Sequence, residues 1–68
     1  MGTLKEFIDY IESKSGIQHI SILYNQKGVF TGLTNDNKLS TFYDKKVIKF
    51  NWVFRTSAIS CVIADELP

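Results

Sequence analysis

The clearest pattern of apolar and polar positions lies in Val47-Ile48-Lys49-Phe50-Asn51-Trp52-Val53-Phe54-Arg55. Ile48, Phe50, Trp52 and Phe54 recur at every second position, which is the period of a β-strand. The alternation predicts one face of large apolar side chains and a second face carrying Val47, Lys49, Asn51, Val53 and Arg55. Near the amino terminus the period changes. Leu4, Phe7, Ile8 and Ile11 fall at i, i+3, i+4 and i+7, the stripe of an amphipathic helix. Thr3 and Glu6 have the spacing of a capping box, Lys14 suits the negative end of the helix dipole, and Gly16 provides a stop beyond which Ile17 folds back onto the last turn. The pattern predicts a helix over 4–15. At three turns it needs tertiary contacts to persist.

Between these two segments the chain reads as a hairpin. Ile20, Ile22 and Tyr24 alternate with His19, Ser21 and Leu23 over 18–24. Asn25 to Gly28 reads as a turn, with Gly28 free to take positive φ. Val29 to Leu33 forms the second strand, in which Gly32 marks a bulge or a close backbone approach. Residues 34–38 read as a loop, and 39–43 as an irregular turn that caps the core. A second tight turn at Thr56-Ser57 leads to a last strand over 58–64, with Ile59, Cys61 and Ile63 on one face. The expected fold is α+β, a single domain in the order α-β-β-β-β. Two hairpins form one four-stranded antiparallel sheet, and the helix packs on one face. That core face takes Ile20, Ile22, Tyr24, Ile48, Phe50, Trp52, Phe54, Ile59, Cys61 and Ile63.

The same alternation puts Leu23, Val47, Val53 and Val62 on the opposite face, with one of Val29 or Phe30. One helix covers one face of a sheet, and a face left to solvent is ordinarily polar. A chain of 68 residues also buries a modest fraction of its surface. Both points favour self-association. With one cysteine, Cys61, no intramolecular disulfide forms, and a reducing, cytoplasmic setting is expected. No signal peptide and no membrane-spanning run is apparent. The net charge is +1, but the middle of the chain is basic and its flanks are acidic.

Chemistry is sparse. Cys61 alternates with core residues and reads as a small hydrophobe. His19 reads as a surface or interface side chain, and Asp9 and Glu12 as a solvated helix face. No phosphate loop or metal-ligand spacing is present, so neither catalysis nor a cofactor is expected. Three binding roles remain. The first is protein binding with self-association into a homodimer or larger assembly, through Leu23, Val47, Lys49, Val53, Arg55 and Val62. The second is single-stranded nucleic acid, contacted by Lys45, Lys46, Lys49, Arg55 and Tyr43. The third is a small molecule sequestered at a subunit interface.

Three stretches also carry a resemblance: Thr3-Leu4-Lys5-Glu6-Phe7-Ile8, Lys27-Gly28-Val29-Phe30-Thr31-Gly32 and Asp44-Lys45-Lys46-Val47-Ile48. In these the chain resembles small proteins carried by bacteriophages and other mobile elements. Many of that group look like inhibitors of host defence, including anti-CRISPR proteins. The resemblance implies a non-enzymatic inhibitor or regulator of a bacterial host protein, acting in the host cytoplasm. It assigns no residue a role.

Overall fold

The computed structural model describes residues 2–53, 55–56 and 58–66. Helix α1 spans Leu4–Ser15, strands β1 and β2 span His19–Tyr24 and Lys27–Leu33, a short 3-10 helix spans Asn37–Phe42, and strands β3 and β4 span Lys46–Val53 and Ala58–Ala64. The expected α+β class and element order hold.

α1 has the predicted limits because its signals are local. The Thr3 hydroxyl accepts from the Glu6 amide, and the Glu6 carboxylate accepts from the Thr3 amide at 2.9 Å. Gly16 closes the helix at φ 77°, its amide donating to the Glu12 carbonyl. Leu4, Phe7, Ile8 and Ile11 are all buried, and each contributes roughly 1.5–3 kcal/mol on leaving water. Ile17 does not fold away; it is about half exposed.

The sheet is mixed, which corrects the all-antiparallel expectation. β1 pairs antiparallel with β2, and β3 antiparallel with β4, but the hairpins join through β1 and β4, which run parallel. The strand order is β2-β1-β4-β3. Burial explains the choice. β1 and β4 bring Ile20, Ile22, Ile59, Cys61 and Ile63, all buried, beneath α1. β2 has no buried residue and β3 has one. Joining the hairpins through β1 and β4 puts these side chains at the centre and leaves β2 and β3 as edges, where even the large apolar side chains Phe30, Phe50 and Trp52 stay only partly covered.

Two bulges change which side chains share a face. In β3 the register shifts between Val47 and Lys49, so Ile48 is the extra residue. Val47 then lies opposite Ile63 and is buried, while Ile48 is exposed. The expected positions of these two are therefore exchanged: Val47 belongs to the core and not to the second face. Beyond the bulge the alternation resumes as expected. Phe50 lies opposite Cys61 and Trp52 opposite Ile59. Trp52 packs on the core. Phe50 reaches the Phe7 ring, with centroids 4.7 Å apart, yet stays 47% exposed at the sheet margin. Phe54 lies outside the described residues.

The second bulge is in β2, where Ile22 faces Phe30 and Leu23 faces Gly28, leaving Val29 as the extra, exposed residue. The turn before it also differs from expectation. Asn25 and Gln26 carry the positive φ values, 52° and 66°. That makes a two-residue hairpin turn whose twist matches its strands. Gly28 is in the strand, not the turn. Gly32 is the close approach rather than the bulge: a Cβ there would lie 2.9 Å from the Phe30 ring, which crosses it to reach the core.

Two ties close the molecule. The amino-terminal residues lie along the start of β3, with Leu4 N donating to Lys45 O at 2.8 Å and Val47 N to Gly2 O at 2.9 Å. At the other end of α1, buried Thr34 donates its hydroxyl to the Glu12 carboxylate at 2.8 Å and accepts from the Gln18 amide at 3.1 Å. The 3-10 helix caps the core with buried Leu39, as expected of that stretch.

The Thr34 tie gives a prediction. Thr34→Val keeps the shape but leaves the Gln18 amide and Glu12 without their partner, so unfolding in urea should show a loss of about 1–3 kcal/mol. Thr34→Ser should recover most of that loss. Equal stability of Thr34→Val and wild type would show that the tie contributes nothing.

Candidate functional site: the open sheet face

α1 and the 3-10 helix lie on the side of the sheet that buries Ile20, Ile22, Ile59 and Cys61. No described element covers the other side. The strand registers order that open face into three rows running across all four strands. At one end lie Gly28, Leu23, Val62 and Lys49. Thr31, Ser21, Ser60 and Asn51 form the middle row, and Leu33, His19, Ala58 and Val53 the far one. A polar belt thus separates two mainly apolar ends. Leu23, Leu33 and Val53 are each exposed by about two fifths. An open depression of roughly 340 Å³ is lined by Leu23, Lys49, Phe50, Asn51, Ser60 and Val62, and a smaller one by His19, Ser21, Thr31, Ala58 and Ser60 together with Ile20 and Ile59.

Of the residues expected at a protein interface, Leu23, Lys49, Val53 and Val62 come together here. Val47 does not, because the Ile48 bulge turns it inward. Arg55 lies in the turn after β3. Leu33, Thr31 and Ser60 share the face and were not singled out from the sequence. Their signal was available in the alternation of β2 and β4, but the Val29 bulge hides the phase of β2.

The residues expected to contact nucleic acid disperse. Lys45 binds Asp65 at 2.7 Å and lies 5.6 Å from the centre of the Tyr24 ring. Tyr24 in turn donates its hydroxyl to Asp65 at 2.8 Å. Tyr43 packs against the core under the Lys5 ammonium. Lys46 lies opposite Ala64 and forms a bridge with Thr3. Lys49 alone of the five is aligned with the open rows.

The groups with catalytic potential are also kept apart. Cys61 is buried on the core face, and burial pushes its thiol up to about 12. His19 sits on the opposite face of the sheet, so the two cannot form a nucleophile–base pair. Asp9 is held by Lys5 at 2.6 Å and Glu12 by Thr34. The Asp36 side chain caps the 3-10 helix by accepting from the Lys38 amide at 2.8 Å. Among the described residues no cluster of three or more His, Cys, Asp or Glu side chains could hold a metal ion. No described helix is long and apolar enough to cross a membrane.

No family model matches the chain, no curated protein is similar to it, and no solved structure matches its fold.

The Asp65 clasp joins the end of β4 to the residue before β3 and to the end of β1, and it titrates. The Lys45 ammonium, and then the Tyr24 hydroxyl, hold the Asp65 carboxyl below its ordinary value. The Asp65 carboxylate holds the Lys45 ammonium above its own. A depressed carboxyl stabilises the fold above its unfolded pKa, and that contribution is lost as pH falls through the folded one. A raised ammonium stabilises below its unfolded pKa and loses the contribution as pH rises through the folded value. Asp65→Asn should therefore lower Tm at neutral pH, with the gap to wild type closing on acidification below about pH 4. A gap that persists unchanged at pH 2–3 would show that the charge is not what matters.

Proposed function

We propose that this chain is a non-enzymatic binding protein that works through self-association and protein contact at the open face of its sheet. The observation that carries this reading is that face itself: four strands wide, apolar at both ends, and uncovered by any described element. A solvent-facing sheet surface needs neither exposed Leu23 and Leu33 nor exposed Val53. Apolar ends around a belt of hydroxyl and amide groups suit protein contact, where a desolvated apolar area is combined with satisfied hydrogen bonds. The burial of Cys61 and its separation from His19 support a role without catalysis. Following the sequence resemblance, the partner class proposed beyond the chain itself is a bacterial host protein that the chain inhibits or regulates.

The nucleic-acid reading has less support. Single-stranded binding uses exposed aromatics beside a basic track, whereas Tyr43 packs on the core and Lys45 is committed to Asp65. The small-molecule reading, at a subunit interface, would require an enclosed cavity with convergent polar groups, and the depressions of the open face are open in the protomer.

Leu23→Glu tests the proposal, because it puts a charge at the centre of one apolar end without touching the core. Tagged wild type and variant would be compared in affinity capture, with matched circular dichroism spectra as the folding control. The expected result is a stoichiometric protein partner, whether a second copy or a host protein, that wild type retains and Leu23→Glu loses. Identical retention by both would move the contact off this face. Anisotropy of a labelled single strand should show no binding at physiological salt. Micromolar binding that persists there would replace the protein reading with the nucleic-acid one.

A further inference from the structure

The rows of the open face are self-complementary in one orientation. We propose that a second copy of this chain occupies the face. The two sheets stack about a two-fold axis that runs along the strands at the β1–β4 seam. This rests on the reading of the open face as a contact surface, and it adds the partner and the register.

The strand order makes the match. An axis along the β1–β4 seam exchanges β1 with β4 of the second copy and β2 with β3 of the second copy, and it returns each row onto itself. Leu23 then faces Val62 of the second copy, and Leu33 faces Val53. In the belt Ser21 meets Ser60 and Thr31 meets Asn51. Each of these side chains both donates and accepts, so the pairs can be satisfied in either direction. The long Lys49 side chain falls over Gly28, where a Cβ would find nothing within 4 Å. Apolar thus meets apolar and polar meets polar in every pair but one, His19 facing Ala58 of the second copy, and the one lysine meets the one position with no side chain.

The other face-to-face two-fold, running across the strands, pairs the belt with itself and Val62 with Ala58, but it sets Leu23 against His19, Lys49 against Val53, and the empty Gly28 position against Leu33. Aligned stacking of twisted sheets about 10 Å apart is a common geometry. Here it leaves both copies of α1 on the outside.

The area sets the strength. Four strands spaced by about 4.8 Å and roughly seven residues long give a face of roughly 19 by 24 Å, or ~450 Å² from each copy. Two such faces bury ~900 Å² in all, below the roughly 1,200 Å² at which stable specific interfaces begin, so the proposed dimer is weak, reversible and concentration-dependent.

Gly28 provides the test, since its φ is not positive and its side-chain space is empty. Sedimentation of the full chain from micromolar to millimolar concentration should show the mass rising from 7.8 kDa towards twice that value. Gly28→Glu sets a carboxylate against Lys49 of the second copy at two equivalent places. It should tighten the dimer by roughly three- to tenfold, and Gly28→Lys should weaken it by a similar factor. Adding Lys49→Glu to Gly28→Lys should restore association. Self-association that ignores the charge at position 28 would overturn the register. A mass of 7.8 kDa at every concentration would overturn self-pairing. The wider protein-contact reading would then stand or fall on capture of a different protein by wild type and not by Leu23→Glu.

Discussion

Everything in this fold depends on one helix having one apolar stripe. α1 is twelve residues long, and its buried side chains Leu4, Phe7, Ile8 and Ile11 point one way. A helix of three turns is marginal alone, so its stripe and the sheet beneath it stabilise each other. The helix covers a limited width of sheet, and the chain arranges its strands to suit. β1 and β4, with most of the buried isoleucines and Cys61, take the centre. β2 and β3 take the margins, where Phe30 and Phe50 lean inward to extend the cover. The β1–β4 pair that results is parallel.

The same constraint produces the open face. A sheet with a single covering helix has a second side, and on this chain that side is patterned. Apolar residues occupy both ends and small polar residues cross the middle. The pattern exists only because the registers of four strands align. Ser21 and Ser60 are thirty-nine residues apart in sequence and become neighbours through the parallel pairing. Function through surface occupation is our proposal from this arrangement, supported by the commitment of several chemically versatile groups to structural contacts. Cys61 fills the core, Glu12 anchors Thr34, Asp9 is held by Lys5, and Asp65 gathers Lys45 and Tyr24.

The edges of the sheet are managed rather than left open. The amino-terminal residues 2–4 pair with the start of β3, and a bulge follows at Ile48. β2 carries its own bulge at Val29. Bulges disrupt the regular ladder that a second strand would need. Edges blunted in this way favour the proposed association through the face, where side chains and not backbone groups would meet.

The sequence by itself determined the local structure. Thr3, Glu6 and Gly16 set the limits of α1, because capping depends on groups within four residues of each other. The alternation in His19–Tyr24 and Ala58–Ala64 assigned the faces of β1 and β4 correctly, and short connections gave both hairpins. Tertiary structure decided what no local pattern carries. Ile48, Phe50, Trp52 and Phe54 recur at every second position, so that spacing hides that Ile48 is an extra residue and that Val47 turns inward. The joining of β1 to β4 pairs strands far apart in the chain, which no local pattern carries. The three rows of the open face exist only after that joining. Capping is a short-range interaction and can be read in sequence order. Register and strand order are settled by which distant side chains leave water together.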